Sequence, residues 1–171
     1  MQRLTNYTDK SYNSITYTKV ILRRGDFMSV CTFFGHRDCP SSIQPKLKTT
    51  LIDLIENHAV HTFYVGNHGA FDSLVRSTLQ ELTQRYPHIR CTIVLAYLPT
   101  KQIDFPFETL LPDGIETTPK RFAISFRNKW MLKQADFVVT YIAHPWGGAA
   151  QFAELAEKQK KTIINLFSNK N

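Results

Sequence analysis

Short apolar segments alternate with amphipathic segments along most of this chain, and this alternation limits its fold more than any other feature. Strands are predicted where β-branched and aromatic residues cluster, at 29–34, 61–65, 91–98, 137–143 and 162–167. Helices are predicted between them, where apolar residues recur every three or four positions. Strands that are apolar on both faces and separated by helices are typical of parallel sheets covered on both sides. The expected fold class is therefore α/β, a single Rossmann-like three-layer domain with a mainly parallel sheet of five strands or slightly more.

One folded domain is predicted over residues 28–171, because a chain of 171 residues is long enough for one sizeable core and short for two. Residues 1–27 stand apart from it, since Met28 immediately precedes the first predicted strand. Alternation over 15–22 is compatible with an added edge strand, and a loosely attached extension is the other interpretation. Residues 99–118 contain three prolines and little periodicity, which predicts a long functional or mobile loop such as a lid.

Composition and charge narrow the classes of function. With 43% hydrophobic and 20% charged residues, the chain is globular rather than disordered. No apolar stretch approaches the roughly 18 residues of a membrane helix, and no secretory signal is recognisable, so we expect a cytoplasmic protein without membrane association. The formal net charge of +7 favours an anionic partner, such as a nucleotide, a nucleic acid or a phosphorylated metabolite.

The sequence argues against a metal centre and a conventional cofactor. Its three cysteines are odd in number and form no C-x-x-C pair, which disfavours a disulfide framework and a zinc ribbon. Neither His36 with Cys39 nor His58 with His61 has a second pair of ligands at usable spacing. No G-x-G-x-x-G motif follows the first predicted strand, and no Walker lysine motif occurs. We therefore expect no metal ion and no cofactor.

The loops after the predicted strands are the expected location of a ligand site, because parallel α/β sheets bind ligands beyond the carboxyl ends of their strands. After the first strand, Gly35, His36 and Arg37 combine a small residue, a titratable ring and a side chain that can clamp phosphate. A purely structural turn is the alternative there. In the first turn of a later helix, Asp72 either contacts the ribose of a ligand or complements the helix dipole.

The segment 144–154, His-Pro-Trp-Gly-Gly-Ala-Ala-Gln-Phe-Ala-Glu, is a candidate phosphate site between a predicted strand and the last helix. Two glycines let the backbone approach a ligand closely. The N–H groups of Gly147, Gly148 and Ala149 would then face an anion at the positive end of the helix. A tight turn without a ligand is the alternative.

Two charged side chains are further candidates. Arg127 belongs to a predicted helix over 118–135 that carries five basic residues and no acid. It falls in an apolar row, where it either meets an anion or a partner, or extends over apolar surface to reach solvent. Glu154 lies on the polar face of the last helix, where it either points toward the ligand or pairs with Lys158 one turn later.

Several of these motifs resemble a known superfamily. Arg127-Asn-Lys-Trp-Met131, then Ala135-Asp136 and Gly147-Gly-Ala-Ala-Gln-Phe-Ala-Glu154, resemble the R-K-x-x-M, A-D and P-G-G-x-G-T-x-x-E signature of the Lonely-guy (LOG) phosphoribohydrolases. Phe33-Phe-Gly-His-Arg37 and Gly66-Asn-His-Gly-Ala-Phe-Asp72 resemble the YpsA-like branch of the same SLOG superfamily. That superfamily also includes DNA-processing protein A and nucleotide-sensing domains. The resemblance extends over about 29–167.

The resemblance implies a Rossmann-like nucleotide pocket that includes Gly66 and Asn67, with phosphate at the glycine pair. It also implies that Arg127 and Glu154 correspond to the catalytic pair of the hydrolases, which cleave the N-glycosidic bond of nucleoside monophosphates. A carboxylate can stabilise the oxocarbenium character of such a reaction while an arginine holds the substrate in register.

This chain departs from the hydrolase signature at three positions. Ala150 replaces the third glycine and narrows the approach to phosphate, and Gln151 offers an amide where a threonine hydroxyl would sit. Trp146 separates Pro145 from the glycines and offers a ring on which a base could stack. These departures favour binding over turnover.

Three hypotheses of function result. The first is binding of a nucleotide or nucleotide-derived signal, NAD-derived compounds included, at the strand ends. The second is hydrolysis of an N-glycosidic bond, and the third is binding of single-stranded nucleic acid through the basic helix. Because relatives with this fold often pair through helices near the site, a homodimer through Phe126 and Trp130 is a further expectation.

Overall fold

A computed structural model of the chain describes residues 28–100 and 103–168, so the extension or edge strand predicted at 1–27 lies outside the described residues. Two short 3-10 helices cover Ser41–Ile43 and Ile115–Thr117. The regular elements, in chain order, are β1 (Ser29–Gly35), α1 (Gln44–Asn57), β2 (Val60–Val65), α2 (Gly69–Arg85), β3 (Arg90–Val94), β4 (Glu108–Leu110), α3 (Lys120–Gln134), β5 (Phe137–Tyr141), α4 (Gly148–Lys158) and β6 (Thr162–Asn165).

The described strands form one six-stranded sheet in the order β4-β3-β2-β1-β5-β6, and every neighbouring pair is parallel. The predicted parallel α/β fold is confirmed. The sixth strand, β4, corrects our prediction that 99–118 is only a loop, since it pairs with β3 from Thr92 to Val94. With only three residues, β4 is too short to show a pattern in the sequence.

Side chains of the central strands point alternately into two cores. In β1, Cys31 and Phe33 enter the core that α1 and α2 cover, whereas Phe34 enters the core that α3 and α4 cover. The domain therefore has three layers. Because both faces of the sheet are covered, the strands lack polar alternation, which is why they were recognisable as apolar runs.

Strand ends differ from the sequence prediction at the carboxyl edge of the sheet. β3 ends at Val94 and β5 at Tyr141, a few residues before the predicted ends at 98 and 143. Leu95 and Ala96 are nevertheless buried, and the Leu95 N–H donates a hydrogen bond of 2.8 Å to the carbonyl of Leu110 in β4, which explains why the apolar run continues beyond β3. Within the described residues, no helix combines the length and the apolar character needed to cross a membrane.

The strand order reverses direction at β1. From β1 the chain builds outward through β2 and β3 to β4, and α3 then carries it back to β5 on the other side of β1. The loops after β1 and β5 consequently diverge and leave a crevice at the carboxyl edge. Such a switch point is where open α/β sheets bind their ligands.

Candidate ligand-binding site

A cavity of about 370 Å³ occupies this crevice, and we refer to it as the ligand cavity. It lies at the carboxyl ends of β1, β2 and β5 and beside α3. The predicted site residues that line it are Gly35, His36, Arg37, Asp72, Arg127, Gly147, Gly148 and Ala149. Segments that are far apart in the sequence thus contribute to one site.

Arg127 is only 3% exposed, so its guanidinium does not reach solvent over apolar surface. Its Nε and Nη2 donate to Asn128 Oδ1 at 3.0 and 2.8 Å, and its Nη1 donates to Asn67 Oδ1 at 3.3 Å and lies 3.2 Å from His68 Nδ1. Nη2 carries two N–H groups and has a single acceptor, Asn128 Oδ1, among the described residues. Burial lowers the pKa of Arg127 and the Asp72 carboxyl opposes this, so a cation held mainly by neutral groups faces the cavity.

Asp72 is buried near Arg127 and is 7% exposed. Its Oδ2 accepts a hydrogen bond of 3.0 Å from the backbone N–H of His68, the residue that precedes α2. Burial raises the pKa of the Asp72 carboxyl, while Arg127, the His68 N–H and Arg76 oppose the rise. Asp72 therefore holds the turn before α2 as well as lining the cavity.

Gly66 separates Asp72 from Arg127. A Cβ at this position would lie 2.8 Å from Arg127 Nη1 and still closer to Asp72 Oδ2. The carbonyl oxygen of Gly66 also accepts a hydrogen bond of 2.9 Å from Arg76 Nη1. The absence of a side chain at Gly66 is thus what allows both charged groups to occupy this position.

Three aromatic rings stack at one side of the cavity. The ring centroids of His36 and His144 lie 3.6 Å apart, and those of His144 and Trp146 lie 4.1 Å apart, with the planes within 19° and 17°. His36 is 7% exposed, and no described residue forms a hydrogen bond with its Nε2. Burial and then the adjacent His144 lower the pKa of His36. A buried ring nitrogen without a partner is uncommon in folded proteins.

The amino terminus of α4 opens on the same cavity. No side chain caps it, and Gly147 has a φ of 94°, a conformation that favours glycine. A Cβ at Gly147 or at Gly148 would meet nothing within 4 Å. The first N–H groups of α4 are therefore accessible to an anion at the positive end of the helix.

Five predicted residues do not line the ligand cavity: Gly66 and Asn67, which lie beside Arg127, and Trp146, Gln151 and Glu154. The exposed Glu154 carboxylate accepts a hydrogen bond of 2.6 Å from Lys158 Nζ, and this bond and the lysine charge lower the pKa of Glu154. Gln151 is exposed on the same helix, and Trp146 is 66% exposed and approaches the cavity through its stack on His144. The structure thus brings Arg127 to the cavity and leaves Glu154 in a surface ion pair.

Sequence reasoning missed His68 and Asn128, which line the cavity and hold the Arg127 guanidinium. Both residues adjoin a predicted site residue in the sequence, which could have identified them. His68 follows Asn67 in the motif at 66–72, and Asn128 follows Arg127 directly. It also overlooked the side chain of His144, although the loop that begins there was a predicted ligand loop. Within the described residues, no group of three or more His, Cys, Asp or Glu side chains is arranged to hold a metal ion.

The fold is that of a Rossmann-like α/β protein, with a cavity at the topological switch point. The chain matches no protein-family model and no curated protein. Among solved structures, it is similar to DNA processing protein A (DprA) from Streptococcus pneumoniae, with a TM-score of 0.59 and 13% sequence identity. The match covers 80% of this chain and 49% of that chain, so this chain spans about half the length of the similar protein. At this identity, the likeness shows a shared fold.

Proposed function

We propose that this chain is a SLOG-type domain, extending over residues 28–171, that binds a nucleotide or a nucleotide-derived ligand in the ligand cavity. The observation that carries the proposal is the convergence of two groups on that cavity: the buried Arg127 guanidinium and the uncapped amino terminus of α4. Each of these groups suits a phosphate oxygen. Arg37, which is exposed and lines the same cavity, adds a further cation.

Binding is better supported than hydrolysis. A LOG-type reaction requires a carboxylate at the sugar, whereas Glu154 is exposed and paired with Lys158. Ala150 adds a buried methyl group at the start of α4, where the hydrolase signature has glycine. Asp72 does line the cavity, but its hydrogen bond to the His68 N–H commits one of its oxygens to the protein.

Single-stranded nucleic acid is a second candidate ligand, and the exposed basic side chains of α3 favour it. Lys120, Arg121, Lys129 and Lys133 are all exposed on the helix that carries Arg127. The similar solved structure is that of a protein named for DNA processing. A strand bound along α3 would lose affinity steeply as salt is raised, because each phosphate contact releases counterions.

Isothermal titration calorimetry with the purified full chain tests the two candidates. The panel comprises nucleoside mono- and diphosphates, NAD, ADP-ribose, a cyclic dinucleotide, the matching free nucleosides and a single-stranded oligonucleotide. We expect saturable binding of at least one nucleoside phosphate and weaker binding of the nucleoside that lacks its phosphate. Absence of nucleotide binding by folded protein contradicts the proposal. Oligonucleotide binding alone, with strong salt dependence, identifies the second candidate.

We expect the unliganded protein to become less stable as the pH falls below about 6.5, the pKa of an unperturbed histidine. Burial holds the pKa values of His36, His61 and His68 below that value in the folded state. The unfolded chain therefore takes up these protons first. The contribution of the neutral histidines to the free energy of unfolding is fully present above their pKa in the unfolded chain. It is lost on acidification, by at most about 1.4 kcal/mol per pH unit for each histidine.

Thermal unfolding at about pH 7.5 and about pH 5.5 measures this effect. His36→Asn should reduce the difference between the two midpoints, because it removes a buried imidazole. The matched control His58→Asn, at an exposed position, should retain the difference seen in the unsubstituted protein. A difference that is the same in all three proteins would show that His36 does not contribute.

A further inference from the structure

A second cavity, of about 380 Å³, lies beside the ligand cavity and near the amino terminus of α3. Loops at the carboxyl ends of β3 and β4 form most of it. Its lining includes the apolar or aromatic residues Tyr97, Leu98, Leu111, Pro112, Ile115 and Ala123. We call it the apolar cavity, and none of these residues belonged to the predicted site.

The two cavities share a wall. The Tyr97 hydroxyl, from the apolar cavity, lies 2.9 Å from Nε2 of His68, which lines the ligand cavity and contacts Arg127 through its other ring nitrogen. On α3, Ala123 lines the apolar cavity and the next residue, Ile124, lines the ligand cavity. The two cavities are therefore direct neighbours at the carboxyl edge of the sheet, separated by the His68–Tyr97 pair and α3.

The chemistry of the two cavities matches the two ends of a nucleotide. The ligand cavity presents Arg127 and the amino terminus of α4 to an anion. The apolar cavity presents the Tyr97 ring, whose residue is 38% exposed, together with the exposed carboxylates of Asp113 and Glu116. A carboxylate accepts hydrogen bonds, so it suits the exocyclic amine of a base that stacks on the tyrosine.

We propose that the apolar cavity binds an amino-bearing nucleobase, adenine being the probe of choice, while the phosphate of the same ligand occupies the ligand cavity. This inference rests on the proposed function, because it assigns the second half of the same ligand. Trp146 is the competing platform for the base. Each platform already has one occupied ring face, with His144 at Trp146 and with Lys120 Nζ at Tyr97, 5.7 Å from the ring centroid, but a base on Trp146 would be enclosed on one side only. In the apolar cavity, Leu111 and Ile115 add further walls around a base at Tyr97.

The test compares adenosine 5′-monophosphate with ribose 5-phosphate, which has the same sugar and phosphate but no base. The ratio of their Kd values measures the contribution of the base, and losses that affect both compounds cancel. We expect the monophosphate to bind at least about fivefold more tightly in the unsubstituted protein. Inosine 5′-monophosphate, which carries a carbonyl in place of the amine, should bind more weakly than the adenosine compound.

Four substitutions locate the base. Tyr97→Leu keeps an apolar side chain and removes the ring, so the ratio should fall toward one. Tyr97→Phe keeps the ring, and Trp146→Leu removes the competing platform, so both should retain the ratio. Leu111→Trp, at a partly buried position, should fill the apolar cavity and weaken the monophosphate while leaving ribose 5-phosphate unaffected.

The outcomes separate the two proposals. A ratio unchanged by Tyr97→Leu and Leu111→Trp overturns the base subsite, and a ratio that collapses in Trp146→Leu assigns the base to Trp146 instead. Binding of ribose 5-phosphate without any gain from the base overturns the base subsite and leaves the proposed phosphate site intact. Failure of folded, unsubstituted protein to bind any nucleotide or ribose 5-phosphate overturns both.

Discussion

Arg127→Met should weaken the binding of a nucleoside phosphate by roughly 100-fold, because it removes a buried charge that faces the ligand. Methionine retains much of the apolar volume of the side chain, and it removes the cation together with its N–H donors. Calorimetric titration with the tightest nucleotide of the panel measures the loss. Arg127→Lys should bind with intermediate affinity, since a lysine keeps the charge without the planar set of donors.

The matched control is Arg121→Met, which removes an exposed arginine from the same helix. It should leave nucleotide affinity within about twofold, because an exposed charge outside the cavity is screened by solvent and salt. Each variant must first show a cooperative unfolding transition, since Asp72 is less well compensated without Arg127. If a folded Arg127→Met protein bound the nucleotide with unchanged affinity, the phosphate would not bind in the ligand cavity.

Gly35→Ala should lower the free energy of unfolding by about 3 kcal/mol, the upper part of the range for overpacking in a core. Gly35 ends β1 beneath Phe71, which is almost fully buried. A Cβ at Gly35 would lie 2.8 Å from the Cβ of Phe71 and still closer to its ring. β1 and α2 cannot move apart without disrupting the core between them. Urea denaturation followed by circular dichroism measures the change.

Gly148→Ala is the matched control for that substitution. A Cβ at Gly148 would meet nothing within 4 Å, and the residue lies in the first turn of α4, where alanine is well tolerated. Its stability should remain within about 0.5 kcal/mol of the unsubstituted protein. If both variants are equally stable, the close approach of Phe71 to β1 does not limit packing as the structure indicates.

The buried Arg127 affects both ligand binding and the stability of the fold. Its guanidinium is positioned by Asn67, His68 and Asn128, so the site contains a cation whose orientation does not depend on the ligand. Such preorganisation favours binding, because less ordering remains to occur when the ligand arrives. The same arrangement has a cost in stability, since burying a charge is unfavourable unless it is well hydrogen-bonded.

Much of the fold was predictable because its signals are local. Apolar runs such as 29–34 and 137–143 identify strands buried on both faces. Apolar residues at helical spacing between such runs indicate helices that connect parallel strands. These features also direct attention to the carboxyl edge of the sheet, so Gly147 was recognisable as a candidate, whereas Arg127 was recognisable as a charge in an apolar row of a helix. The strand β4 was not predictable, since its three residues form a strand only by pairing with β3.

The local pattern of the chain sets the class of fold, because backbone periodicity and burial act over a few neighbouring residues. The composition of the site depends on contacts between distant residues. Arg127 lies 60 positions from Asn67, to which it donates a hydrogen bond. Glu154 has the spacing of a catalytic residue in the sequence, yet the folded helix places it in an ion pair with Lys158. Likewise, the hydrogen bond between His68 and Tyr97, which lies in the wall between the two cavities, arises only when β2 and β3 lie side by side.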